Sequence, residues 1–102
     1  MGKLVRCVNI CVDCVYDYDL KDAMGPAYLG FDFWVKDNEK DARRNFIIAA
    51  LSELGIPFER VYFEEVDELD ENILLTEKQM LECMIQDREY IINYYYGNPT
   101  RL

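Results

Sequence analysis

The sequence contains no histidine. That removes the commonest general base at neutral pH, and with it every Ser-His or Cys-His pair this chain could build alone. Bases are scarce too: eleven lysines and arginines stand against twenty acids, a net charge of −9. DNA, RNA and anionic membrane surfaces carry the same sign, so direct binding to any of them is disfavoured. No apolar run approaches the roughly 18 residues of a membrane span. GxSxG, P-loop and HExxH patterns are missing, and with them the common hydrolase, nucleotide-binding and zinc-protease signatures. Met1 to Cys7 alternates polar and apolar residues, unlike a secretory leader. Position 6 is Arg6, so the myristoylation pattern also fails. The expectation is a cytoplasmic protein whose four cysteines, Cys7, Cys11, Cys14 and Cys83, are reduced.

What is present is a chain of 102 residues, 51% apolar and 30% charged. That is too apolar for a disordered segment and long enough for one core, so residues 1–102 are read as a single domain.

Residues 3–16 alternate with period 2. Leu4, Val8, Ile10, Val12, Cys14 and Tyr16 share one face, and Val5, Cys7, Cys11 and Val15 the other. Apolar residues on both faces predict a central strand. Gly25-Pro26 marks a connection over 17–26, a candidate cover for one sheet face, and 27–35 reads as a second strand. A helix follows, with Asp37 or Asn38 as its cap and Phe46, Ile47, Ala50, Leu51 and Leu54 at helical spacing. Gly55 and Pro57 end it. Phe58 to Val66 reads as a third strand and the acidic residues after it as a connection. Thr76 and Gln79 fit a capping box. The second helix then runs to about Tyr96, stops at Gly97 and Pro99, and carries Met80, Leu81, Met84, Ile85, Ile91, Ile92 and Tyr95 on one face. The expected class is α+β: a three-stranded, mainly antiparallel sheet in chain order β-β-α-β-α. The first strand is central, in a split βαβ arrangement with a right-handed crossover and both helices on one face.

Cys7, Cys11 and Cys14 have the spacing that radical SAM enzymes use to hold an iron–sulfur cluster. A strand, however, sends Cys7 and Cys11 one way and Cys14 the other, so the three cannot converge. The expectation is three buried structural thiols and no cofactor or metal, with Cys83 lying off the core face. Asp13, Asp17, Asp19 and Asp32 fall near the first connection, where paired carboxylates could do acid–base work, but their spacing is not diagnostic. A non-enzyme is expected.

Charge is concentrated in one place. Residues 57–75 hold one base and seven acids, net −6 of the total −9. Glu64, Glu65, Asp67, Glu68, Asp70 and Glu71 would present a dense negative strip, and that strip fits a basic groove built for a phosphate backbone. The segment has no turn glycine and no calcium-loop spacing. Tyr90 and Tyr94 lie together on the second helix, away from the apolar face, as a second contact surface or a homodimer seam. The expected function is an acidic inhibitor or modulator of a nucleic-acid-handling protein, acting as a nucleic-acid mimic. By charge and size this is the type of small phage protein that blocks restriction or CRISPR effectors. The alternatives are a small adaptor or subunit with a solvated acidic loop, and a cysteine-based metal or redox protein.

Overall fold

The computed structural model describes residues 2–17 and 28–97. Its organising element is β1 (Leu4–Tyr16). This strand is hydrogen-bonded along both edges, antiparallel to β2 (Tyr28–Lys36) on one side and to β3 (Arg60–Asp70) on the other. The sheet order is β2-β1-β3. Since α1 (Lys40–Glu53) connects the two outer strands, the split βαβ arrangement with β1 central is what the chain adopts. The last element is α2 (Glu77–Gly97). No helix among the described residues is long and apolar enough to cross a membrane.

The core sits between one face of β1 and the two helices. Val8, Ile10, Val12 and Cys14 cluster with Ile47, Ala50 and Leu51 of α1 and with Met80, Met84 and Ile91 of α2. Val15 joins the same cluster, although simple alternation assigns it to the opposite face. The cause is a bulge. β1 slips register against β2 between Asp13 and Val15, leaving Cys14 as an extra residue, and beyond it the side-chain phase inverts. Beside this bulge the backbones come very close: a Cβ on Gly30 would lie 1.8 Å from the Val12 carbonyl oxygen.

Both helix ends reflect local chemistry. Thr76 and Gln79 form the capping box reciprocally, with Gln79 N–H donating to Thr76 Oγ1 at 3.2 Å and Thr76 N–H to Gln79 Oε1 at 2.9 Å. Gly55 takes φ +66° just past α1, the left-handed step that stops a helix. The start of α1 differs from expectation. Asp37–Glu39 forms a 3-10 turn first, and no side chain caps α1 itself. Ile85 is a second correction: it is 51% exposed rather than core. One residue along a helix is a 100° turn, which carries Ile85 from the buried position of Met84 to the solvent rim. The connection over 18–26 and Pro99 lie outside the described residues.

Candidate protein-binding face

β3 is an edge strand made of two unlike halves. Its first half is covered. Val61 is buried, its carbonyl accepts from Arg44 Nε of α1 at 3.3 Å, and Lys40 Nζ sits 5.4 Å from the centre of the Phe63 ring. From Glu64 to Glu68 every residue is exposed. The strand there has run past the helix layer, so even Val66 is 52% exposed.

The acidic segment is therefore strand, not a connection, through Asp70. What extends it is its partner: Leu4 to Val8 of β1 pair with Asp70 to Val66. A second bulge lies here. Val8 opposes Val66 and Ile10 opposes Phe63, so Glu64 and Glu65 together face Asn9.

Strand alternation divides the six acids expected to form one strip. Asp67 stands opposite Cys7, on the sheet face away from the helices, and Glu68 stands opposite Arg6 on the other face. Three of the six, Glu64, Asp70 and Glu71, are held by the fold, Glu64 through the Cys11 thiol at 3.0 Å. Asp70 accepts from Asn72 N–H at 2.8 Å and from Gly2 N at 3.2 Å. Glu71 holds Lys36 Nζ at 2.6 Å, a bond that keeps the Glu71 carboxyl below its ordinary range and raises Lys36. Asp67 Oδ1 accepts from Glu68 N–H at 2.8 Å and so closes one backbone donor of the strand. Among the described residues Glu64, Glu65, Asp67 and Glu68 have no basic partner.

The sheet face away from the helices continues this surface with a polar network. Asn9 is only 6% exposed, and its Nδ2 donates to Asp32 Oδ2 at 3.3 Å and to the Phe33 carbonyl at 3.4 Å. The Cys11 Sγ lies 3.0 Å from both Asn9 Oδ1 and Glu64 Oε2, and its single S–H is shared between the two acceptors. Burial first, and then the hydrogen bond to Glu64, push this thiol up to about 12. Cys14, inside the core, is pushed to about 12 by burial and by the charge of Asp13, and burial also raises Cys7. A reactive thiol needs the opposite shift. Arg60 Nε meets Asp13 Oδ2 at 2.5 Å, with its guanidinium 4.7 Å and 5.8 Å from the ring centres of Tyr62 and Tyr28. Beside it lies a shallow cavity of about 280 Å³ between Cys11, Asp13, Tyr28, Asp32, Tyr62 and Glu64.

The cysteines divide between the faces as strand phase requires. Cys14 is in the core cluster, while Cys7 and Cys11 are buried on the far face. Of the four aspartates near the first connection, Asp13 and Asp32 both border the shallow cavity, and each described one has its own partner. Asp13 pairs with Arg60, Asp32 accepts from Asn9, and Asp17 accepts from the Tyr94 hydroxyl; Asp19 is outside the described residues. No group of three His, Cys, Asp or Glu among the described residues is arranged to hold a metal. Tyr90 is 63% exposed, and its ring centre lies 6.5 Å from that of Tyr94. Tyr94 and Cys83 are both half-buried against the core, so Cys83 is less accessible than its helix angle suggested.

Sequence reasoning singled out Asp13 and Asp32 as carboxylates but passed over Asn9 and Tyr62, which share their surface. Its signal was legible: polar Asn9 and Asp13 share the odd positions of β1 with two cysteines, whereas the even positions from Val8 to Cys14 are wholly apolar. Comparison of the chain with protein-family models, with curated proteins and with solved structures finds no match in any of the three.

Proposed function

We propose that this protein is a non-catalytic, cytoplasmic modulator that occupies the basic surface of a nucleic-acid-handling protein through the exposed half of β3. The observation that carries this reading is the run from Glu64 to Glu68. It is five consecutive exposed residues on an edge strand, four of them acids without a basic partner among the described residues. A strand rises about 3.3 Å per residue, close to the roughly 3.4 Å between charges along one strand of a duplex. Because alternation sends these carboxylates to two faces, a basic groove meets that density only by closing around the edge, on a backbone already ordered by pairing with β1. Release of counterions from the groove and long-range attraction would drive the encounter. Inhibition of restriction or CRISPR effectors is the most concrete form of this reading.

A second reading has its own observation. Charged residues on an edge strand block unwanted strand pairing, and the Asp67 bond to Glu68 N–H closes part of that edge. On that reading the protein is a small adaptor or subunit whose acids only protect it.

A pull-down from native host cells, read by mass spectrometry, names the partner. Reversal of Glu64, Glu65 and Glu68 to lysine should then slow association by about tenfold or more, because steering depends on the summed field. Salt at about 0.5 M should weaken the wild-type complex. A complex indifferent to both places the contact elsewhere, with Tyr90 and Tyr94 the next surface to mutate.

A further inference from the structure

We propose that the outer surface of the helix layer is a self-association surface that takes a second copy of this chain. A mostly apolar groove of about 430 Å³ runs there between α1 and α2, lined by Phe46, Ala49, Ala50, Leu54, Leu81 and Ile85, with Glu53 as its one charged residue. Its walls are braced by contacts that cross the seam. Arg88 Nε donates to the Leu54 carbonyl at 2.5 Å, and Arg43 holds Glu77 at 2.8 Å. The groove is therefore formed in advance, and a partner does not have to open it.

The surface carries both a knob and a hole. Ile85 stands half-exposed on the rim of the groove it helps to line. A two-fold axis beside Ile85 sends each copy's isoleucine to the other copy's groove, which is the requirement for an isologous contact. The same axis, running two α2 helices antiparallel, pairs position n with position 170 − n by simple counting. Glu82 then faces Arg88 of the second copy, and Lys78 falls within one turn of the second copy's Glu89. The outward stripe of α1 consists of the uncharged Ala42, Asn45, Ala49 and Ser52, and its one charge at the groove is Glu53 at the end of the helix. Most of the chain's excess charge is on residues 57–75, so the helix layer is where two acidic copies approach at least electrostatic cost. This contact is independent of the acidic edge of β3.

Sedimentation of the full chain from about 10 to about 500 µM should show a concentration-dependent dimer. Ile85→Lys should weaken the dimer about a hundredfold, since symmetry removes two buried side chains at once. Ala49→Glu on the other helix should do the same. Both positions are solvent-facing in the monomer, so at concentrations where the wild type is monomeric each variant should keep its melting transition and helix content. Reversal of Glu64, Glu65 and Glu68 should leave the dimer intact. A chain that stayed monomeric throughout, a dimer that survived either groove substitution, or one broken by Tyr90→Lys instead would overturn the proposal.

Discussion

Both faces of β1 are buried, but by different means. Val8, Ile10, Val12 and Cys14 lie under two helices in a continuous apolar core. Cys7, Asn9 and Cys11 face away from the helices, and among the described residues they are shielded by neighbouring side chains on the sheet, including Asp32 and Glu64. The first face is held by area removed from water. The second is held by a hydrogen-bonded network whose groups would otherwise be stranded. The difference teaches that the two faces divide the work: the helix side carries stability, and the open side carries a polar, acid-rimmed surface.

The strongest way to break this comparison is to place a charge on the helix side. Met84 is fully buried, and Met84→Asp should cost about 4 kcal/mol or more in denaturant melts, since its carboxylate has no partner there. A wild-type midpoint would mean that α2 does not pack as described. On the open side Asn9→Ala should cost about 1–2 kcal/mol, because the network loses a donor to Phe33 and Asp32 while water can still reach its rim. Equal losses from the two variants would erase the distinction.

Alkaline pH sharpens the comparison, with one thiol on each face. Cys11 and Cys14 are both raised from 9.0 to about 12. Their contribution is fully present below 9, where the thiols are protonated in both states. It is lost as pH rises from 9 toward 12, because the unfolded chain ionises first. Stability should fall across that window, and Cys11→Ala combined with Cys14→Ala should flatten the fall. An unchanged slope would show that the thiols are not what resists ionisation.

The smallest expected effect belongs to the exposed Lys36–Glu71 pair. Glu71 is lowered, so its contribution is present above the ordinary carboxylate range and lost as pH falls through its depressed value. Lys36→Ala should lower the neutral-pH melting point slightly and leave the acid-pH one unchanged, which flattens the acid-side slope. A large drop at neutral pH would make this surface pair more than the exposed contact it is.

Much of the fold was legible because its signals are local. Alternation from Leu4 to Cys14 marks a central strand, and Thr76 with Gln79 marks a helix start. The unread parts depend on partners. Nothing between Glu64 and Asp70 favours a strand except Val66 and Leu69; the open backbone of Leu4 to Val8 is what holds those residues extended. The inversion at Cys14 comes from a register slip against β2, which no single-strand pattern contains. Ile85 was misplaced because a helix angle fixes direction, while burial depends on what the neighbouring helix covers. Of the candidate site, the charge density was plain in the sequence. Its division between two faces, and the loss of Asp70 and Glu71 to structural bonds, appear only once register is known.

The central position of β1 also sets an order of events during synthesis. This strand leaves the ribosome before both of its partners, and β3, its second neighbour, follows only after β2 and α1. A nascent chain holding the β1–β2 hairpin and α1 still has one edge of its most apolar strand open. That open edge is a template for pairing with other chains until Arg60 to Asp70 arrives to close it. The late-made strand that seals this edge is also the acidic one, so the same residues that repel other copies at the finished edge end the period in which the growing chain is most exposed to aggregation.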